Sequence, residues 1–178
     1  MIKEYELKYM LTDYEYHMLE KILDRLPSVS EIQTNYYYDT ESESLRKQNV
    51  TVRVREKNDK YQGTIKRHLA DGCSTEENFR MKALQSIMMF EGENIYMKGS
   101  LETKRTTYFL SDDVMIMLDR NEYLDNIDYE LEVECPKEFM EQAKGIVFLI
   151  KELLHSDRME SSIHKSERFF RSLNNKTI

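Results

Sequence analysis

The sequence predicts an α+β protein organised around a large antiparallel β-sheet or closed barrel. Three observations predict it. Many segments alternate polar and apolar residues with a period of two, they follow one another in meander order with turn signals between them, and the helical segments are few. The 178 residues suit one domain, 1–178, long enough to bury a real core.

The first strand is KEYELKYML, residues 3–11, with Glu4, Glu6 and Lys8 on one face and Tyr5, Leu7, Tyr9 and Leu11 on the other. Residues 13–26 place Met18, Leu19, Ile22, Leu23 and Leu26 at helical spacing, with Thr12 or Asp13 as N-cap and Pro27 past the end. IQTNYYYDT, NVTVRVREK and KYQGTIKRHL then read as strands, the last two joined as a hairpin at Asn58-Asp59. A strand from Cys73 to Met81 follows. After it comes a helix with the Met-rich apolar side AL..IMMF, assigned to the core because methionine fills irregular gaps. SLETKRTTYFL, DDVMIMLDRN and NIDYELEVEC make three more strands, and Pro136 ends the last. Residues 137–155 form an amphipathic helix with Phe139, Ala143, Ile146, Val147, Ile150 and Leu154 on one side, and a shorter helix covers about 162–173. That gives about eight strands. With 5 Gly and 2 Pro there is little room for a linker, and no repeat or low-complexity segment stands out.

Composition narrows the function classes. The formal net charge is -7, so a protein that coats nucleic acid is not expected, because neutralising phosphates needs a positive face. The only cysteines, Cys73 and Cys135, form no CxxC, which fits a reduced, cytoplasmic setting. No signal peptide is evident, and apolar runs such as IVFLI are too short to cross a bilayer, so no membrane partner is expected. GxxxxGK[ST], GxGxxG, GxSxG and HExxH are all absent.

The strand faces carry the chemistry. In DYELEVEC, Asp128, Glu130, Glu132 and Glu134 share a face. In VTVRVREK it is Thr51, Arg53, Arg55 and Lys57, and in GTIKRH it is Thr64, Lys66 and His68. Any one strand of this kind is also what a half-solvated sheet looks like. Taken together, carboxylates gather on the first and last strands and cations on the middle ones. Carboxylates about 4 Å apart repel by roughly 1 to 4 kcal/mol, depending on the dielectric. A divalent cation with hard oxygen ligands, Mg²⁺ or Mn²⁺, would offset that, and a polyphosphate would bridge the metal and the guanidinium groups.

At this point the residues resemble a known family. Glu4-Tyr5-Glu6-Leu7-Lys8 reads as ExExK, followed in order by YYYD, RVR, TIK, Thr103-Lys104-Arg105, LDRNEY and YELEVE. That ordered set, over roughly residues 1 to 136, is similar to the CYTH domain of the triphosphate tunnel metalloenzymes. The resemblance implies an eight-stranded antiparallel β-barrel tunnel with helices packed outside and a C-terminal helical segment. It also implies a small triphosphate substrate with Mg²⁺ or Mn²⁺, and it leaves room for a homodimer. Carried over by motif, Glu4, Glu6, Asp119, Glu130, Glu132 and Glu134 resemble metal ligands. Lys8, Arg53, Arg55, Lys66 and Arg105 resemble triphosphate contacts, and Glu4, Glu6, Lys8 and Lys66 form the catalytic group. A middle-strand glutamate is expected at Glu76 rather than Glu77, and Asn121 stands where some members carry a second acid.

The expected function is a divalent-metal-dependent triphosphatase that hydrolyses inorganic triphosphate or a small organic triphosphate. The alternatives are a class IV-type adenylate cyclase acting on ATP and a non-catalytic polyphosphate or nucleotide binder. The remaining signals read mainly as structure. Tyr36, Tyr37 and Tyr38 read as strand packing ahead of a stack on a base or thiamine ring, Lys165 and Arg168 as a solvated helix face ahead of residues reaching the tunnel mouth, and His17, His155 and His164 lack metal-type spacing. His68 reads equally as a phosphate contact and as an incidental polar residue.

Overall fold

Turn chemistry sets the hairpins. The computed structural model describes residues 2–69, 73–156 and 160–176, and within these the strands β3 (Val50–Lys57) and β4 (Lys60–His68) meet at Asn58-Asp59. Both turn residues have positive φ, 50° and 58°, the left-handed pair that a two-residue hairpin demands and that Asn and Asp tolerate best. Glu91-Gly92 likewise joins β6 (Ile87–Phe90) to β7 (Glu93–Phe109), with φ of 50° and 86°. β8 (Met115–Tyr123) and β9 (Asn126–Cys135) pair from Tyr123↔Asn126 onward.

The other strands are β1 (Ile2–Leu11), β2 (Ser28–Asp39) and β5 (Cys73–Met81). Hydrogen bonding runs in the order β2-β3-β4-β5-β1-β9-β8-β7-β6, and β2 also pairs with β7. Eight antiparallel strands thus make the closed barrel expected, and β6 is a ninth strand beside β7. By contacts the chain divides into two compact units, one mainly Ile32–Glu102 with His164–Ile178, the other Glu4–Glu31 with Thr103–Ile163.

The second unit has its own core. Helix α1 (Asp13–Leu23) begins with a capping box: Glu15 N–H donates to Thr12 Oγ1 at 3.2 Å, and Thr12 N–H donates to Glu15 Oε2 at 2.7 Å. It buries Tyr16, Leu19 and Leu23 against the apolar face of β8 and β9, which includes Ile116, Leu118, Leu131 and Val133. The 137–155 segment starts as a 3₁₀ turn, Lys137–Phe139, and continues as an α-helix, Met140–Leu154. Its Ala143, Val147, Ile150 and Leu154 enter the same core.

In the first unit, Tyr38, Leu45, Val50, Val52, Val54 and Ile95 form the core. The short helix α2 (Ser44–Lys47) supplies Leu45. The Met-rich segment corrects the sequence reading, because residues 87–90 are strand β6 and not helix. Met88 and Phe90 pack on this core while Ile87 and Met89 stay 54% and 75% exposed, a period of two set by the Glu91-Gly92 turn. Only half of that segment is therefore core. With the 140–154 helix counted as α3, the C-terminal helix α4 runs Lys165–Lys176. It buries Phe169 over Gly99, where a Cβ would lie 2.7 Å from the Phe169 ring and where φ is +149°. We expect Gly99→Ala to cost about 1–3 kcal/mol in denaturant unfolding, from ring displacement and backbone strain together. A change below about 0.5 kcal/mol would mean the ring gives way freely.

Candidate active site

In the second unit, register places the acidic residues. Pairing of β1 with β9 sets Glu6 opposite Glu134, Lys8 opposite Glu132 and Met10 opposite Glu130, while β8 sets Asp119 opposite Glu130. Period two does the rest, turning these side chains to one face and Leu7, Val133 and Leu131 to the apolar core. Unlike a solvated face, this one is closed to water: Glu130 and Asp119 are 0% exposed, Glu132 3% and Glu6 9%. Glu134 is half-buried. Glu4 stands in β1, and its side chain lies outside the described residues.

Two cations sit among them. Arg105 donates from Nε to Asp119 Oδ1 at 2.7 Å and from Nη2 to Asp119 Oδ2 at 2.5 Å, and Nη2 also reaches Glu132 Oε2 at 2.9 Å. Burial opposes the guanidinium charge, but Asp119 and Glu132 outweigh it and hold the group firmly protonated. Lys8 Nζ lies 3.1 Å from Glu6 Oε2 and 3.4 Å from Glu132 Oε1. Ser162 donates to Glu130 Oε1 at 2.6 Å. Oxygens of Asp119, Glu130 and Glu132 come within 4.8 Å of one another, a buried acidic cluster with the dimensions and hard-oxygen chemistry of a divalent cation site.

The first unit gathers the opposite charge. On β3, β4 and β5, Arg53 pairs in register with Thr64, Thr51 with Lys66, and Lys66 with Glu76. Lys66 Nζ is 2.9 Å and Arg53 Nη2 3.7 Å from Glu76 Oε1, so the buried carboxylate is Glu76, while Glu77 is exposed. Arg53 Nε is buried with no hydrogen-bond partner among the described residues. Arg55 Nε donates to Asn35 Oδ1 at 3.2 Å. Burial pushes the Glu76 carboxyl up, yet Arg53 and Lys66 overcome it and hold it below its ordinary value.

That shift makes a pH prediction. A depressed carboxyl stabilises the fold fully above its unfolded value and loses that contribution as pH falls through its folded value. Replacing Glu76 with Gln should therefore flatten the acid limb of a Tm-against-pH curve below about pH 4.5. An unchanged acid limb would assign the loss to other carboxylates.

A family model for the CYTH domain matches residues 2–168. The chain belongs to the CYTH domain family. Among curated proteins, "Putative triphosphatase YjbK" of Bacillus subtilis is 30% identical over 147 residues, covering 74% of this chain and 77% of that protein. A crystal structure of a Bacillus halodurans protein described as "a putative adenylate cyclase" is similar at 26% identity and a TM-score of 0.76, covering 96% of this chain and all of that one. The Hippeastrum protein HpAC1, described as revealing "a dominant triphophatase activity", shares the fold at 19% identity and a TM-score of 0.74, covering 95% of this chain and 96% of that one.

Several residues of this CYTH chain have surroundings that motif reading left open, and Ser162 was missed by it. Arg168 of α4 is 8% exposed, not solvated, and its charge, with those of Arg53, Lys165 and Arg55, opposes the rise that burial imposes on Tyr37. Tyr37 itself is buried, its ring 5.2 Å from Phe169, whereas Tyr36 bonds Glu56 and Tyr38 bonds the Gln85 carbonyl. Burial corrects the preferred solvated face for Arg168, because a lone cation on a short helix has no pattern to mark its side. Ser162 follows α3 in an irregular segment tied to β1 by Ser162 N–H to the Lys8 carbonyl at 2.9 Å, a placement no local signal encodes. Asn121 is fully buried, accepting from Thr103 at 2.8 Å and donating to Asp128 at 2.9 Å. An acid there would face Asp128 charge to charge, so the amide suits its neighbours. His68 stacks on His164 at 3.7 Å and lies 3.0 Å from Thr51. Among the described residues, no helix is long and apolar enough to cross a membrane.

Proposed function

We propose that this CYTH protein is a divalent-metal-dependent triphosphatase acting on inorganic triphosphate or a small organic triphosphate. The observation that carries the reading is the segregation of buried charge. One unit buries Glu6, Asp119, Glu130 and Glu132 with Lys8 and Arg105, and the other buries Lys66 and Arg168 beside Arg53 and Arg55 with Glu76. A non-catalytic binder needs cations alone. The metal-sized acidic cluster supports the catalytic reading, because phosphoryl transfer also calls for a site that could hold a divalent cation.

In this reading Asp119, Glu130 and Glu132, with Glu6, hold Mg²⁺ or Mn²⁺, which neutralises phosphate oxygens and lowers the pKa of a bound water when present. Arg53, Arg55 and Lys66 bind the phosphate chain and offset charge as the terminal bond breaks. The Arg53 Nε–H, which has no hydrogen-bond partner among the described residues, is a ready donor to an anionic oxygen. Arg105, held protonated by its acidic neighbours, and Lys8 orient the carboxylates, and the exclusion of water strengthens each of these contacts. The likeness to YjbK favours hydrolysis.

Phosphate release from inorganic triphosphate, measured with Mg²⁺, Mn²⁺ or EDTA, tests the proposal. Rapid release abolished by EDTA is expected. Cyclic AMP formed from ATP without phosphate release from triphosphate would establish the cyclase instead, and tight binding with no turnover of either would establish a binder.

A further inference from the structure

Glu160-Ser161-Ser162 belongs to none of the helices and strands named above, yet two hydrogen bonds fix its backbone to β1. Met10 N–H donates to the Glu160 carbonyl at 3.1 Å, and Ser162 N–H donates to the Lys8 carbonyl at 2.9 Å. These bonds set Ser161 opposite Tyr9 in an antiparallel bridge, and so set Ser162 opposite Lys8. Residues directly opposite one another turn to the same side. Ser162 therefore goes with Lys8 to the charged face, whereas Ser161 goes with Tyr9 and is exposed. A slip of one residue would exchange the two serines. Ser162 Oγ lies 2.6 Å from Glu130 Oε1 and 2.8 Å from the Ile163 carbonyl. A hydroxyl has one proton to give, and the charged carboxylate is the stronger acceptor, so Glu130 receives it.

We infer that residues 160–162 are a strap that positions Glu130 for a divalent cation, with Ser162 as the positioning residue. The inference rests on reading Asp119, Glu130 and Glu132 as the metal cluster. Arg105 aims Asp119 and Glu132 through its hydrogen bonds. The Ser162 hydroxyl does the same for Glu130, limiting rotation of the carboxylate. Donors behind ligating groups set metal affinity by about 10- to 100-fold. Such coupling is reciprocal: whatever the docked strap adds to metal affinity, bound metal adds to docking of the strap.

Mn²⁺ binding, read from the electron paramagnetic resonance signal of free Mn²⁺, tests this without turnover. Ser162→Ala should raise the Mn²⁺ dissociation constant about 10- to 100-fold. Ser162→Thr, which keeps the hydroxyl, should restore most of that affinity, and Ser161→Ala on the opposite face should leave it unchanged. A second measurement needs no variant: Mg²⁺ should slow hydrogen exchange at the Met10 and Ser162 amides of the natural protein by about tenfold or more. A natural protein that binds neither ion overturns the metal reading and the strap with it. Mn²⁺ held equally by Ser162→Ala, or strap amides indifferent to Mg²⁺, overturns the strap and leaves the metal reading intact. A loss that Ser162→Thr does not restore, or that Ser161→Ala shares, overturns the assignment to the Ser162 hydroxyl.

Discussion

Arg105→Ala should unfold about 10 °C below the natural protein. The guanidinium holds Asp119 through two hydrogen bonds and Glu132 through a third, and both carboxylates are buried, at 0% and 3% exposure. Removing one partner of a buried ion pair leaves charge in a medium that cannot solvate it, at a cost of about 3–5 kcal/mol. Lysine is a discriminating control. Arg105→Lys keeps the charge but loses the planar fork that spans both Asp119 oxygens, so its loss should fall between those of the natural protein and the alanine variant. A loss below about 1 kcal/mol for Arg105→Ala would show that water or a rearranged Lys8 replaces it.

How far the sequence carries this picture depends on whether a feature is local. The β3–β4 hairpin follows from Asn58-Asp59, and the α1 start follows from Thr12 and Glu15, because a turn or a cap is chosen by residues a few positions apart. Alternation also separates the apolar face of β9, Leu131 and Val133, from the charged face, Glu130 and Glu132. The pattern cannot tell whether the charged face meets water. Burial of Glu130 and Asp119 arises from strands more than ten residues apart folding over one another, and only the collective run of like charges pointed to it. Where two periodicities competed, as at 87–90, the short apolar run passed for helix until the Glu91-Gly92 turn fixed it as a strand. Ser162 was beyond reach because it is isolated in sequence and is positioned by β1 and β9, and for Arg168 the sequence offered two sides of the helix with no pattern to choose between them.

These limits bear directly on which carboxylate to test. Asp119 and Glu132 are bound to Arg105, so removing either confounds charge loss with a broken ion pair. Glu130 also adds to the charge that holds Arg105 protonated, but Ser162 donates to one of its oxygens and an amide oxygen accepts that bond equally well, so Gln keeps this contact. Glu130→Gln should therefore fold with a stability within about 1–2 kcal/mol of the natural protein. If Glu130 is a metal ligand, two further results follow. The rise in Tm that Mg²⁺ or Mn²⁺ gives the natural protein should vanish, since stabilisation by a ligand scales with its occupancy. Triphosphate turnover should fall at least about 100-fold, the scale on which metal affinity and activity respond even to outer-shell changes. Tm with and without metal separates the roles without relying on turnover. A Glu130→Gln protein that still gains the full metal-induced shift would remove Glu130 from the ligand set. One that loses several kcal/mol before metal is added would make the carboxylate a structural partner of the buried cations instead.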